Sequence, residues 1–215
     1  MSPGQPVRLT VAELVERAGR LVGTGGRRLL GIVGAPGAGK STLASRLVVA
    51  LGTDLAVAVG MDGFHLSNAV LRDLGRHERK GAIDTFDSHG YAALLTRLRA
   101  ARPGDDPIYA PVFDRDLEEP IAGGVAVPAG VPLVVTEGNY LLADGPGWEN
   151  ARRSLAEVWF LMPADDLRVE RLIARHMAHG RSEAEARSWS LGSDQLNAEL
   201  IAATAAGADL VVEVV

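Results

Sequence analysis

Residues 34–41 read Gly34-Ala35-Pro36-Gly37-Ala38-Gly39-Lys40-Ser41, a G-x-x-x-x-G-K-S loop followed by Thr42. In such a loop consecutive backbone N–H groups wrap the phosphates of a nucleotide, and each residue type has a reason to be present. The glycines let the backbone turn tightly without a Cβ clash. Lys40 neutralises phosphate oxygens, and Ser41 can offer its hydroxyl to Mg2+. The flanks supply the geometry. Leu29-Leu30-Gly31-Ile32-Val33 is an apolar run of strand length, and Thr42-Leu43-Ala44-Ser45-Arg46-Leu47-Val48-Val49 has helical spacing. Strand, loop and helix in that order place the loop at a helix N-terminus, where the backbone dipoles favour a phosphate.

The remaining chain repeats this alternation. Val11, Leu14, Val15, Ala18 and Val22 recur at helical spacing after a loose tail of six residues, and residues 23–26 end that helix. Apolar runs over residues 55–61, 133–136, 158–161 and 210–214 read as further strands buried on both faces. With the strand before the loop they predict a parallel five-stranded α/β sheet with helices on both faces, and a ligand beyond the carboxyl ends of the strands. Residues 63–87 are irregular and polar, and Tyr91, Leu94, Leu95 and Leu98 mark a helix closed by Arg102-Pro103-Gly104. Residues 107–132 read as a small strand-rich insertion in which residues 108–113 and 125–127 are strands separated by Gly123-Gly124. At 215 residues the whole fits a single domain.

Composition removes several classes. A net charge of −5 argues against nonspecific binding to nucleic acid or to an anionic membrane, so any anion must meet a local basic patch. Without cysteine there is no disulfide, thiol nucleophile or cysteine metal site. The start of the chain lacks the pattern of a signal peptide and no apolar run is long enough to span a membrane, which points to a cytoplasmic protein.

A phosphate loop alone suits motors, switches, transporters and kinases, so the other strand ends must decide. Asp62 follows the second core strand, and Glu137 lies at the end of the next. Two carboxylates at strand ends beside a phosphate loop suit phosphoryl transfer, with Asp62 as the candidate base and Glu137 as a candidate metal or water-shell group. Arg168, Arg171 and Arg175 share one helical face and Arg181 follows Gly180. A mobile arginine lid over residues 165–187 could close on a triphosphate and exclude water; a solvated face paired with Glu170, Glu183 and Glu185 is the alternative. His65, Lys80, Asp84, Phe86, Asp87, Tyr109, Phe113 and Arg115 mix aromatic and hydrogen-bonding groups that suit a polar, hydroxylated small molecule. His65 could equally be a packed or surface histidine, and Tyr109 and Phe113 could be core. His176 and His179 have no third ligand at metal-site spacing. A guanine-reading N-K-x-D element is absent, though a nucleotide-sensing regulatory ATPase stays open as a second class.

The loop at 34–41, Met61-Asp62-Gly63-Phe64-His65, Lys80-Gly81-Ala82-Ile83-Asp84-Thr85-Phe86-Asp87, Glu137-Gly138-Asn139-Tyr140 and the arginines of 171–176 together resemble the phosphoribulokinase and uridine kinase family. That group includes bacterial pantothenate kinases and a nucleoside/nucleotide kinase-like branch, some of whose members are called fructose-transport-system kinases. The resemblance runs from about residue 29 to 215. It implies a P-loop NTPase fold of the nucleoside-monophosphate-kinase type and phosphorylation of a hydroxyl by ATP with Mg2+. It makes Asp62 the catalytic carboxylate, with Lys40, Arg171 and Arg175 beside the transferring phosphate. Ser41 and Glu137 become the magnesium side, with Asp62 near, and Arg181 a further nucleotide contact. Phe86, Asp87 and Tyr140 join the acceptor pocket. Uridine kinases place a tyrosine where this chain has His65. The implied acceptor is a nucleoside or related ribosyl compound, with a pantothenate-like or sugar hydroxyl second. Family members are often oligomeric, which leaves a homo-oligomer as one implied option.

Overall fold

The computed structural model describes residues 6–23, 25–178 and 180–215, without the side chain of Ser193. The first five residues of the expected tail, and His179, lie outside the described residues. A parallel sheet runs in the order β1-β8-β7-β2-β6-β3, formed by β1 (Val7–Leu9), β2 (Arg28–Gly34), β3 (Ala56–Gly60), β6 (Leu133–Gly138), β7 (Glu157–Leu161) and β8 (Leu210–Val214). Among the described residues the expected five strands of this sheet are therefore six. The added one is a three-residue, largely exposed edge pairing Val7 with Val212, too short to leave an apolar run in the sequence.

Alternation along the strands builds two cores. Leu30 and Ile32 of β2 with Leu133 and Val135 of β6 face α1 (Val11–Val22) and α2 (Lys40–Leu51), whose Leu14, Ala18, Leu43 and Leu47 are buried there. Leu29 and Val33 with Val134 face the opposite way, against Tyr91, Leu95 and Leu98 of α4 (Ser88–Ala100) and Trp148 of α5 (Pro146–Arg153). Thr10 caps α1 in a reciprocal box with Glu13, and Gly23 closes it. No helix among the described residues is long and apolar enough to cross a membrane.

The insertion is an antiparallel hairpin of β4 (Ile108–Asp114) and β5 (Glu119–Val127). Its turn lies at 115–118, so Gly123-Gly124 sits inside β5 instead of separating the strands as expected. The reason is local. Pro111 has no N–H for the ladder, and the register jumps between Ala110, opposite Val125, and Val112, opposite Ile121. The glycines fill that bulge, with Gly123 at φ 70°. The hairpin rests on the 3-10 turn Met61–Phe64 that follows β3, where a Cβ on Gly63 would lie 2.4 Å from the Pro111 carbonyl oxygen. Gly63→Ala should push β4 off this turn and cost about 1–3 kcal/mol of stability, read as a lower urea midpoint at unchanged slope.

Candidate active site

The site is assembled by strand register. Glu137 of β6 pairs with Ile32 of β2 on one side and with Gly60 of β3 on the other. Two residues beyond Ile32 the phosphate loop begins, and two beyond Gly60 comes Asp62. Glu137 shares the face of Leu133 and Val135, where α2 packs, so its Oε1 meets the Ser41 hydroxyl in the first turn of that helix at 3.1 Å. Lys40 turns its ammonium back into the loop, donating to the carbonyls of Gly34 at 2.8 Å and Ala35 at 3.1 Å. Gly39 caps α2 in the left-handed conformation, with no side-chain cap hydrogen bond to the helix N-terminus.

Electrostatically these groups form one set. Burial pushes the Glu137 carboxyl above its ordinary value, Asp62 pushes it further, and Lys40 and the Ser41 hydroxyl oppose both. Burial likewise lowers the Lys40 ammonium, with Glu137 and Asp62 holding it up. Asp62 has one further partner, the Arg115 guanidinium at 3.5 Å from its Oδ2. Arg171 lies beside the loop, its Nη1 3.5 Å from where a Cβ on Gly39 would sit. Arg175 is drawn into the same field: desolvation and Arg115 lower its pKa, while Asp194 and Asp62 raise it.

The three arginines expected on one face of α6 (Asp165–Ala178) are not equivalent. Arg168 is 2% exposed. Its guanidinium holds Asp165 at 3.0 Å, the Pro36 carbonyl at 3.5 Å and Gln195 of α8 (Ser193–Ala202) at 2.6 Å. Gly37, at φ +82°, makes the docking tight, since a Cβ there would lie 2.6 Å from the Arg168 carbonyl oxygen and 2.8 Å from Leu172. The start of α6 is thus pinned to the phosphate loop, and Arg171 and Arg175 project from a seated helix. Arg181 is not brought to the loop. It donates to His176, which bonds Asp194 at 2.8 Å, and it stacks 4.5 Å from the ring of Trp189 in α7 (Glu183–Leu191).

Of the expected acceptor groups, His65 and Phe113 stand beside Asp62. The His65 Nδ1 meets the Asp62 carbonyl at 2.8 Å, so it carries the hydrogen, and the ring lies between Phe86 at 4.0 Å and Phe113 at 4.7 Å. Burial lowers its pKa, and in the neutral ring Nε2 is left as an acceptor. Phe86 is buried and passes the stack on to Tyr140 and Trp148.

Five further residues expected at the acceptor are placed as follows. Lys80 binds Asn68 at 2.7 Å and the Glu118 carbonyl, and lies over Phe113, so it ties the hairpin turn to α3 (Asn68–Asp73). Asp84 is held by Arg79 at 2.6 Å and Arg76 at 3.5 Å. Asp87 caps α4 by accepting from the Gly90 N–H at 2.8 Å. Tyr109 is 63% exposed on the hairpin. The buried Tyr140 hydroxyl donates to the Gly81 carbonyl at 2.7 Å, and burial holds it protonated. Lys80, Asp84, Asp87 and Tyr140 thus each have a partner within the chain.

A cavity of about 300 Å3 beside the loop is lined by Gly39, Thr42, Arg46, Leu161, Arg171 and Val214. Arg46 had no spacing signal. Its position depends on the far end of the chain meeting α2.

This fold is that of a P-loop kinase. The chain belongs to the phosphoribulokinase and uridine kinase family, whose model matches residues 29–215, and that family membership makes it an ATP-dependent kinase. A Schizosaccharomyces pombe protein named as a candidate uridine kinase is 30% identical over 212 residues, covering 94% of this chain and 89% of its own. The crystal structure of a candidate fructose transport system kinase from Silicibacter is 37% identical at TM-score 0.84, covering 94% of this chain and 98% of that one. YFH7 from Saccharomyces cerevisiae, at 18% identity and TM-score 0.79 over 96% of this chain and 99% of its own, shares the fold.

Because the His65 pKa is lowered, the unfolded chain takes up a proton first as pH falls below its ordinary value near 6.5, and stability declines there. His65→Asn keeps a donor for the Asp62 carbonyl but cannot titrate. Its melting temperature should fall less than that of the parent between pH 7 and 5, measured by thermal scans across that range.

Proposed function

We propose that the protein transfers the γ-phosphoryl of MgATP to an alcohol hydroxyl of a small polyhydroxylated acceptor, of ribosyl, nucleoside or sugar type. The observation that carries this reading is the convergence of Lys40, Ser41, Asp62 and Glu137 at three adjacent strand ends beside an uncapped helix N-terminus. The loop N–H groups and Lys40 would cradle the phosphates, and the adjoining cavity past Thr42 and Arg46 would take the nucleoside of ATP.

The donor set fits magnesium. Ser41 Oγ and Glu137 Oε1, 3.1 Å apart, offer oxygen only, which is what a hard cation prefers. Among the described residues no group of three or more His, Cys, Asp or Glu could hold a metal alone, in keeping with an ion that keeps phosphate and water ligands and takes one or two from protein. Bound there, the ion would neutralise charge on the β- and γ-phosphate oxygens. Asp62 faces the acceptor side and would orient the reacting hydroxyl and take its proton as the O–P bond forms. Arg171 and Arg175, held over the loop by the seated α6, would meet charge on the transferring group. The relatives named for uridine and fructose support an alcohol acceptor of this size.

Asp62→Asn keeps the shape of the site but removes the base. It should lower acceptor-dependent ADP formation by about 10^2–10^4-fold, while the binding constant for a non-hydrolysable ATP analogue with magnesium changes by no more than a few-fold. Retention of full turnover would remove Asp62 from its role.

A further inference from the structure

Resting on the kinase reading, we propose that the acceptor carries an anionic group, a carboxylate or a phosphate ester, beside its reacting hydroxyl, and that Arg115 binds that group. Arg115 opens the hairpin turn, on the wall of the site opposite the phosphate loop. The turn that bears it is built to hold position. The Asp114 carboxylate accepts from the N–H groups of Asp116 and Leu117, both at 2.9 Å. The Glu118 carbonyl takes Lys80 and the Asn68 amide at 3.2 Å, and the Glu119 carboxylate accepts from the Asn68 N–H at 3.0 and 3.1 Å. Behind it, the Pro111 carbonyl is seated on Gly63. These contacts join the hairpin to the segment that follows Asp62, so Arg115 approaches the base from a fixed point.

The guanidinium itself is poorly satisfied. Its side chain is 47% exposed, and its hydrogen-bonding contact among the described residues is the long one to Asp62 Oδ2 at 3.5 Å. Arg168 is committed to Asp165, Pro36 and Gln195, Lys80 to Asn68 and Glu118, and Lys40 to the loop carbonyls beside Glu137, while Arg171 and Arg175 project from α6 on the phosphate-loop side. The contact uses one oxygen of Asp62 and one nitrogen of Arg115, so Asp62 keeps Oδ1 for the acceptor hydroxyl and the guanidinium keeps further N–H groups for a second oxyanion. Arg115 also lies close enough to Arg175 for the like charge to lower the Arg175 pKa. The transferring phosphate would offset that charge from the side of Arg175, and an anion on the acceptor would offset it from the side of Arg115. A guanidinium binds such an oxyanion through two parallel N–H groups. The acceptor then spans two points, with its hydroxyl on Asp62 and its anion on Arg115.

The test uses substrate pairs that differ in the anionic group: D-glycerate and glycerol, pantothenate and panthenol, ribose 5-phosphate and ribose, fructose 6-phosphate and fructose. ADP formation above the no-acceptor rate is measured for the parent, Arg115→Ala and Arg115→Lys. In at least one pair the anionic member should exceed its neutral twin by about tenfold or more in kcat/KM. Arg115→Ala should raise the KM for that acceptor by about 10–100-fold while the KM for MgATP moves less than about twofold, and Arg115→Lys should restore part of the loss. Preference among the carboxylate or the phosphate pairs identifies which oxyanion is read. Three results would each overturn the proposal: a neutral twin used as well or better in every active pair, Arg115→Ala acting on MgATP instead, or no anionic member used by a protein that binds magnesium and the ATP analogue. Failure to bind that analogue would instead bring down the kinase reading, and this proposal with it.

Discussion

Every group in the donor half of the site depends on one register, in which Glu137 lies between Ile32 and Gly60. Side chains on a strand alternate between faces, so a slip of one residue would turn Glu137 away from α2 and put a carboxylate into the core against α4. The register is held from both sides. Leu133 and Val135 are fully buried toward α1 and α2, and Val134 toward α4. Between them Thr136 donates to the Val59 carbonyl at 2.6 Å and therefore accepts the Tyr91 hydroxyl, 2.7 Å away. Each buried aliphatic side chain contributes about 1.5–3 kcal/mol, so the alternative register is far out of reach. The carboxylate that meets Ser41 is positioned by apolar burial beneath it, not by a polar network around it.

Cations divide by what they touch. Arg27, Arg168 and Lys80 are bound to backbone carbonyls and amide oxygens: Arg27 serves Val131 at 2.9 Å and Leu98 at 3.4 Å, between the end of α4 and the strand after the hairpin. Such residues close loops onto the sheet, and their charge is incidental to any ligand. Arg115, Arg171 and Arg175 have few fixed partners and surround Asp62 and the loop. A side chain's partners, more than its type, separate the two groups.

That division explains how much could be read from the sequence. The phosphate loop with its flanking strand and helix, and the place of Asp62 and Glu137 at strand ends, follow local patterns and were legible. So were the two-faced sheet and the helices at Val11–Val22 and Ser88–Ala100, where apolar period and burial agree. The edge strand Val7–Leu9 was not, because three exposed residues carry no period. The hairpin turn was misplaced because Gly123-Gly124 spells a turn but fills a bulge opposite Pro111. Lys80, Asp84, Asp87 and Tyr140 were read as acceptor contacts because their types suit one. Their partners are fixed by chain contacts such as Lys80 with Glu118, 38 residues apart, that no local pattern encodes. Arg168 looked like its neighbours on the helix until Gly37 and Gln195 were found against it.

The two walls of the site are therefore built differently. The donor wall belongs to the sheet: altering it means altering strand register or the seat of α6 on Gly37. The acceptor wall hangs from the hairpin, whose base is buried in the core through Ile108, Ala110 and Val127 but whose turn is held off the sheet, by Asn68 and the Lys80 ammonium. Residues on its turn can change without disturbing the core or the phosphate loop. A substitution on the turn therefore leaves the phosphate loop and the strand register in place. The loop is a local pattern and can be read from the sequence, whereas the wall beside Arg115 depends on contacts between residues far apart in the chain, such as Asn68 with Glu119.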